Sequence, residues 1–182
     1  MKLVFLDRDG VINAFPGKGL YVTRREEFRL IPEAVEGIRL LTEAGFELHV
    51  VSNQGCVSHG LITPKELERL TDSMLKDIAA AGGRIAGVHY CTHQTSDRCD
   101  CKKPKTALFL RALKNRPVDM RRVAFVGDSE EDMLAGHALG CRKVLVLSGR
   151  LEKKDIENLS VKPDAVKRDL LEAARWLLAE KH

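Results

Sequence analysis

The sequence is poor in aromatic residues, and it has neither a long apolar run nor a strong excess of one charge. Six Phe, two Tyr and one Trp among 182 residues offer few rings for stacking against nucleic acid bases. No apolar stretch reaches the roughly 18 residues that a membrane span needs. The formal net charge of +4 fits a solvated surface of mixed charge. We therefore expect neither a nucleic acid nor a membrane as partner.

The amino terminus and the cysteines indicate a compartment. Met1 and Lys2 lead directly into an apolar run, without the pattern of a signal peptide. The five cysteines then suit a reducing cytoplasm, as thiols or metal ligands rather than disulfides. Cys56 and Cys141 stand apart from the other three, and we expect them to be small packing residues. Because the chain is 44% hydrophobic, it can form one globular domain over residues 1–182 with a substantial core. We also expect the protein to be a cytoplasmic monomer.

Short apolar runs alternate with amphipathic stretches along the chain. Five runs predict strands, at residues 3–6, 48–51, 88–91, 123–126 and 144–147. Five amphipathic stretches predict helices, at residues 33–44, 64–81, 105–115, 130–139 and 170–180. This alternation is typical of an α/β fold with a doubly wound, Rossmann-like, mostly parallel sheet. In such folds the ligand lies beyond the carboxyl ends of the strands.

Polar motifs stand where these predicted strands end or the next helices begin. The residues concerned are Asp7 and Asp9; Ser52, Asn53, Gln54 and Gly55; Lys102, Lys103 and Pro104; and Asp128, Ser129 and Asp132. Because strand ends meet at one edge of a parallel sheet, we expect these groups to converge. Two neighbouring carboxylates require a cation between them or a proton on one of them. Together the motifs supply a carboxylate nucleophile, a second carboxylate, a hydroxyl, a fixed cation and a further metal ligand, which phosphoryl transfer requires.

Structural readings of the same residues remain open. Ser52 and Asn53 could cap the next turn, and Ser129 with Asp132 forms the pattern that begins many helices. For Asp132, capping or a supporting role is as compatible with the sequence as metal ligation. Pro104 suits the first position of a helix, which would place Lys103 at a helix N-terminus where an anion is stabilised.

A second candidate metal centre lies in one short loop, residues 91–101. Its potential ligands are three thiols and one imidazole, from Cys91, His93, Cys99 and Cys101. Three Cys and one His form a closed tetrahedral zinc set, which is structural rather than catalytic. Since Cys101 lies two residues before Lys103, we expect Zn²⁺ to stiffen the loop that carries this lysine.

The four motifs, in their order and on their elements, resemble those of the haloacid dehalogenase superfamily of phosphatases over nearly the whole chain. The resemblance implies that Asp7 attacks phosphorus and forms an aspartyl-phosphate, and that Asp9 protonates the leaving alkoxide and later activates water. It implies Mg²⁺ on the Asp7 carboxylate, the Asp9 backbone carbonyl and Asp128. Ser52 and Lys103 would contact the transferring phosphoryl group. No segment is long enough for a second full domain, so we expect a capless enzyme.

The loop pattern Cys-x-His…Cys-x-Cys-Lys-Lys-Pro looks like that of D-glycero-D-manno-heptose 1,7-bisphosphate phosphatases and the related histidinol-phosphate phosphatases. Residues 144–149 and 163–166 are more similar to the heptose enzymes. This resemblance implies release of the 7-phosphate from a phosphorylated sugar substrate, the heptose 1,7-bisphosphate, with histidinol-phosphate hydrolysis as the alternative. Implied substrate contacts are Tyr21, Ser52, Asn53, Gln54, Gly55, Lys102, Lys103 and Ser129.

Three departures from the subgroup affect anion binding. Lys102 stands in place of the usual arginine, which loses a bidentate fork but keeps the charge. Ser129 replaces a common lysine, and His59 replaces a common arginine. We expect the second phosphate of a bisphosphate to be held differently here. Two other classes of protein are compatible with parts of the sequence, a catalytically silent scaffold and a nucleic-acid end-processing phosphatase. The intact motifs oppose the first class, and the scarcity of aromatic residues opposes the second.

Overall fold

The structure is a computed structural model, and it describes residues 2–114 and 116–179. Its strands in this part of the chain are β1 (Leu3–Leu6), β2 (Glu47–Asn53), β3 (Gly87–Cys91), β4 (Val123–Gly127), β5 (Arg142–Val146) and β6 (Ala165–Lys167). Its α-helices are α1 (Pro32–Glu43), α2 (Pro64–Ala80), α3 (Ala107–Leu113), α4 (Glu130–Leu139) and α5 (Leu170–Ala179).

The strands form one sheet in the order β3-β2-β1-β4-β5-β6, and every pairing between them is parallel. The predicted α/β fold with a doubly wound parallel sheet is thereby confirmed. The chain winds outward in one direction from β1 to β3 and then returns to β4 on the other side of β1. The carboxyl ends of β1 and β4 therefore flank the point where the strand order reverses, which is where open α/β sheets bind ligands.

Side chains of β1 alternate between two apolar layers, as a buried strand requires. Val4 and Leu6 belong to the layer that includes buried residues of α1, α2 and α5. Leu3 and Phe5 belong to the opposite layer with α3. Phe109 of α3 packs edge-on against Phe5, with ring centroids 5.0 Å apart. Helices thus bury both faces of the central strand and leave its end as the place where polar groups can reach solvent.

The predicted set of elements needs two corrections. It lacks strand β6, which has only three residues with exposed Val166 at its centre. Helix α3 begins at Ala107, so Pro104 does not occupy a first helical position. Residues 102–105 instead form a turn closed by the Lys105 N–H donating to the Lys102 carbonyl, 2.9 Å.

Parts of two predicted helices, at residues 115 and 180, lie outside the described residues. Within residues 2–114 and 116–179, no helix has the length and apolar composition needed to cross a membrane.

Candidate active site and metal centre

Carboxylates from two neighbouring strands meet at the reversal point of the sheet. Leu6 and Val126 are register partners, so Asp7 and Asp128 both follow the ends of adjacent buried strands. Asp7, Asp128 and Asp132 each offer a carboxylate oxygen, and these oxygens lie within 4.8 Å of one another. All three residues are buried. The fold therefore concentrates negative charge where the sequence predicted a magnesium site.

Burial and mutual repulsion raise the pKa of two of these acids. Burial raises the pKa of Asp7, an effect that the Lys103 ammonium partly offsets. Burial, followed by the charges of Asp7 and Asp132, raises the pKa of Asp128 well above its usual value. Folding alone thus disfavours ionised Asp7 and Asp128. A divalent cation between them would reverse that preference, and carboxylates are ligands that Mg²⁺ accepts.

Lys103 is the buried cation beside this cluster. Its Nζ lies 2.9 Å from Asp7 Oδ1 and donates to Asp132 Oδ1 at 2.7 Å, and its side chain is only 3% exposed. Burial by itself would lower the pKa of Lys103, but the charges of Asp132 and Asp7 raise it. The lysine is therefore a fixed ammonium that stabilises the nearest carboxylates in their ionised form.

The Asp132 carboxylate accepts hydrogen bonds from several residues of the site. While its Oδ1 accepts from Lys103 at 2.7 Å, its Oδ2 accepts from the Ser129 hydroxyl at 2.6 Å and from the Asp128 and Ser129 backbone N–H groups, both at 3.1 Å. Both oxygens are thus engaged by protein donors. This arrangement favours the capping and supporting reading of Asp132 over direct metal ligation. It also commits the Ser129 hydroxyl to Asp132.

Asp9 lies in a cradle of N–H donors. The Arg8 guanidinium contacts both carboxylate oxygens, with Nη2 3.0 Å from each. Asn13 Nδ2 donates to Oδ1 at 2.9 Å, and Gln54 Nε2 donates to Oδ2 at 2.8 Å. Burial would raise the pKa of Asp9, but the Arg8 charge and these hydrogen bonds lower it. The cradle therefore fixes the direction of this carboxylate and favours its ionised form.

Arg8 and Asn13 were not singled out from the sequence as site residues. Arg8 is 1% exposed, and its guanidinium lies between two aromatic rings, 5.7 Å from the Phe28 centroid and 5.6 Å from that of Tyr90. Its position between Asp7 and Asp9 was a usable signal, since an arginine buried beside two acids pairs with one of them. Asn13 follows Asp9 by four residues and gave no comparable signal.

Ser52 and Gln54, at and just after the end of β2, contact Asp7 and Asp9. Ser52 is buried, and a hydrogen bond from Ser52 lowers the pKa of Asp7 against the larger effect of burial. Gln54 is fully buried, and its Nε2 bridges Asp9 and the Ser52 Oγ, 3.2 Å away. These contacts make Gln54 a support for neighbouring side chains, and its predicted contact with the substrate stays a prediction.

Asn53 forms two hydrogen bonds with the backbone of Lys103. The Lys103 N–H donates to Asn53 Oδ1 at 3.0 Å, and Asn53 Nδ2 donates to the Lys103 carbonyl at 3.2 Å. This two-way clamp joins the end of β2 to the turn at residues 102–105. It explains why the chain at Lys103 is fixed before α3 begins.

The remaining predicted substrate contacts lie around the site. Tyr21 lies beside Gly55, where an added Cβ would come within 3.2 Å of the Tyr21 hydroxyl. The Tyr21 ring also lies 5.8 Å from that of His59. Lys102 Nζ donates to Thr95 Oγ1 at 2.8 Å, which directs it toward the cysteine loop. Lys102 and Lys103 both line a cavity of about 270 Å³.

The four predicted zinc ligands also come together. The ligand atoms of Cys91, His93, Cys99 and Cys101 lie within 4.8 Å of one another. Cys91 Sγ is 3.7 Å from Cys99 Sγ and 3.3 Å from Cys101 Sγ, and His93 Nδ1 is 3.2 Å from Cys101 Sγ. Tetrahedral zinc with Zn–S bonds of about 2.3 Å separates its ligands by roughly 3.5–3.8 Å. The donor set and its spacing therefore fit Zn²⁺.

Comparison with known proteins extends this picture. A family model described as HAD-hydrolase-like matches residues 100–173. A Pseudomonas putida protein described as D-glycero-beta-D-manno-heptose-1,7-bisphosphate 7-phosphatase is 35% identical over 153 residues, which cover 84% of this chain and 86% of that protein. A Vibrio cholerae protein with the same description is 37% identical over 155 residues, which cover 81% and 82%.

One solved structure is similar over its full length. The crystal structure of D,D-heptose 1,7-bisphosphate phosphatase from B. bronchiseptica, complexed with magnesium and phosphate, matches with a TM-score of 0.91 at 31% identity. The match covers 100% of both chains. None of these comparisons supports the histidinol-phosphate alternative.

Proposed function

Because this chain belongs to the D-glycero-D-manno-heptose-1,7-bisphosphate 7-phosphatase family of HAD-like hydrolases, we propose that it hydrolyses a heptose 1,7-bisphosphate to the 1-phosphate and inorganic phosphate. The observation that carries the proposal is the convergence of Asp7, Lys103 and Asp128 at the reversal point of the sheet. These groups would place a nucleophile, a cation and a metal ligand around one phosphoryl group.

Asp7 is the proposed nucleophile. The Lys103 ammonium, 2.9 Å from Asp7 Oδ1, opposes the effect of burial, and bound Mg²⁺ would add the positive charge that favours the ionised carboxylate for attack on phosphorus. The P–O bond to the sugar breaks as the Asp7–phosphorus bond forms, which yields an aspartyl-phosphate and a sugar alkoxide. The Ser52 hydroxyl and the Lys103 ammonium would stabilise the transferring phosphoryl oxygens.

Asp9 is the proposed proton carrier. In the first step Asp9 would act in its protonated form, against the preference of its N–H donors for the carboxylate, and pass that proton to the leaving alkoxide oxygen. In the second step the Asp9 carboxylate accepts a proton from the attacking water, while the P–O bond to Asp7 breaks and inorganic phosphate is released. The donors from Arg8, Asn13 and Gln54 favour the carboxylate that this second step needs. They also restrict the side chain to one orientation.

Two metal ions complete the proposal. The Asp7 and Asp128 carboxylates with the Asp9 backbone carbonyl would hold Mg²⁺, which supplies positive charge against the repulsion between an anionic nucleophile and an anionic substrate. Cys91, His93, Cys99 and Cys101 would hold structural Zn²⁺. We further propose that the protein is a monomer and that it acts in the cytoplasm. A reducing compartment keeps these thiols available to the metal.

A phosphate-release assay tests the activity. With Mg²⁺ present, we expect the heptose 1,7-bisphosphate to be hydrolysed at C7 with a much higher kcat/KM than histidinol phosphate. Product analysis by ³¹P NMR would identify the phosphate that is lost. Preference for histidinol phosphate, or retention of the 7-phosphate, would contradict the proposal.

A further inference from the structure

The loop after β5 is fastened directly to the catalytic cluster. The Arg150 backbone N–H donates to Asp128 Oδ2 at 2.7 Å, and the Leu151 N–H donates to the Asp128 carbonyl at 3.2 Å. The Ser148 hydroxyl donates to the Gly10 carbonyl at 2.7 Å. These bonds hold residues 148–151 against the loops that follow β1 and β4. The position of Arg150 beside the site is therefore fixed by its backbone.

Gly149 shows how close this approach is. A Cβ at that position would lie 2.0 Å from Asp128 Oδ2, so only glycine lets the loop pass the carboxylate. Arg150 follows immediately, and its side chain leaves the loop at the exposed edge of the site.

The Arg150 guanidinium rests on the ring of Phe15, 5.4 Å from the ring centroid. Among the described residues, 2–114 and 116–179, no carboxylate forms an ion pair with Arg150. An arginine that stacks on an aromatic face keeps its N–H edge available, and that edge matches the oxygens of a phosphate. The Arg150 guanidinium therefore has N–H groups that an anion could approach.

Three residues predicted from the sequence to contact anions already form hydrogen bonds or ion pairs within the protein. Lys102 Nζ donates to Thr95 Oγ1, and the Ser129 hydroxyl donates to Asp132. Lys103 lies between Asp7 and Asp132 and is assigned to the reacting phosphoryl group. A substrate with a second phosphate needs a further cation near the site.

We propose that Arg150, whose guanidinium lies over the ring of Phe15, binds the non-reacting phosphate of a diphosphorylated sugar and makes the enzyme select bisphosphates over monophosphates. This inference rests on the proposed function, because it assumes that a phosphorylated sugar occupies the site. Arg150 is a specificity residue in this assignment and takes no part in bond making or breaking.

The test compares two substrates that share the reacting group, heptose 1,7-bisphosphate and heptose 7-phosphate. For Arg150→Met, we expect the ratio of their kcat/KM values to fall roughly 10- to 100-fold toward the monophosphate, because one charge-assisted contact is lost. The change should appear mainly in KM for the bisphosphate. Arg150→Lys should retain part of the preference, and Phe15→Leu should lower it by a smaller factor.

Arg122→Met is the matched control, because Arg122 lies before β4 at the opposite end of the sheet and the variant loses the same charge. It should leave the substrate ratio unchanged. An unchanged ratio in Arg150→Met, or an equal fall in Arg122→Met, would overturn the assignment of Arg150 while the phosphatase activity stands. A wild-type protein that hydrolyses neither heptose would overturn the proposed function and this inference with it.

Discussion

The acid cluster at the strand ends and the cysteine cluster between β3 and α3 are both sets of potential metal ligands, but the fold assembles them differently. Asp7 follows β1, whereas Asp128 and Asp132 both follow β4, and all three are buried. The cysteine cluster spans only residues 91–101, from the last residue of β3 into the following loop, and His93 is exposed. The acids depend on the sheet for their proximity, whereas the thiols and the imidazole depend mostly on a local turn.

The two regions also differ in charge balance. The acid cluster is destabilised by burial and repulsion, as the raised pKa values of Asp7 and Asp128 show. In the loop, burial raises the pKa of the Cys91 thiol to about 12 and also raises that of Cys101. Backbone hydrogen bonds from Lys102 and Cys101 oppose burial at Cys99 and lower the pKa of its thiol to about 7. The acid cluster thus combines burial with repulsion among carboxylates. In the cysteine cluster burial raises the pKa of two of the three thiols, and only that of Cys99 is lowered.

The largest expected effect comes from removing the nucleophile. Asp7→Asn should lower kcat more than about a thousandfold, because an amide cannot form the aspartyl-phosphate. The unfolding midpoint should stay the same or rise, since a neutral side chain avoids the repulsion among the buried acids. Phosphate release and circular dichroism melting measure the two effects. Asp164→Asn, at an exposed ion pair with Lys143, is the control that should retain activity, and retained activity in Asp7→Asn would refute the assigned role.

Removal of the buried Lys103 ammonium should lower the free energy of unfolding more than removal of a cation from a partly exposed ion pair. Lys103→Met leaves Asp7 and Asp132 without their ammonium, so the free energy of unfolding without added metal should fall by about 3–5 kcal/mol. Lys143→Met leaves half-exposed Asp164 in water, and it should cost less than about 1 kcal/mol. Urea denaturation in the presence of a chelator compares them. Equal losses in the free energy of unfolding would show that burial does not increase the contribution of the Lys103 ion pairs to stability.

Disruption of the cysteine cluster should have a smaller effect on activity. Cys99→Ser should release zinc and lower kcat by roughly tenfold or less, about 1.4 kcal/mol, because Asn53 still clamps the Lys103 backbone. Atomic absorption measures the zinc content and steady-state kinetics measure kcat. As a control, Cys141→Ala should keep the zinc. Adding Asn53→Ala should produce a loss greater than the product of the single losses. Simple multiplicativity would mean that the loop and Asn53 do not act on the same lysine.

The smallest expected effect lies at the opposite end of the sheet. Glu47 contacts Arg116 at 2.6 Å and His49 at 2.8 Å. The hydrogen bond from Arg116 outweighs burial and, with that from His49, lowers the pKa of Glu47 to about 2. Because this folded-state pKa is depressed, the stabilisation is complete above the unfolded value of about 4.3 and is lost as the pH falls toward 2.

Glu47→Gln should therefore lower the free energy of unfolding by less than about 1 kcal/mol at neutral pH. The difference from wild type should shrink between about pH 4 and pH 2. Urea unfolding over this range is the measurement, with Glu68→Gln on α2 as a carboxylate-loss control. A difference that grows on acidification would contradict the sign of the depressed pKa.

Much of the architecture followed from local sequence patterns. The run before Asp7 predicted β1 correctly because a strand buried on both faces needs apolar side chains throughout. Strand β6 escaped prediction because three residues at a sheet edge carry too little periodicity. Pro104 misled the helix prediction because a proline that suits a helix start also suits a turn. The Asn53 clamp that fixes this turn joins residues 50 positions apart, and no local pattern records it.

By itself the sequence determined the parallel α/β fold, the family and the residue types that can carry phosphoryl transfer, because these depend on composition, periodicity and motif order. Only the tertiary structure decided which partners the side chains of those residues contact. It turned Asn53 and Gln54 toward other side chains and backbone groups, engaged both oxygens of Asp132, and set Arg150 on Phe15 beside Asp128. Hydrogen bonds and charge contacts of this kind form across the sheet between distant segments, so their partners are defined only once the strands are aligned.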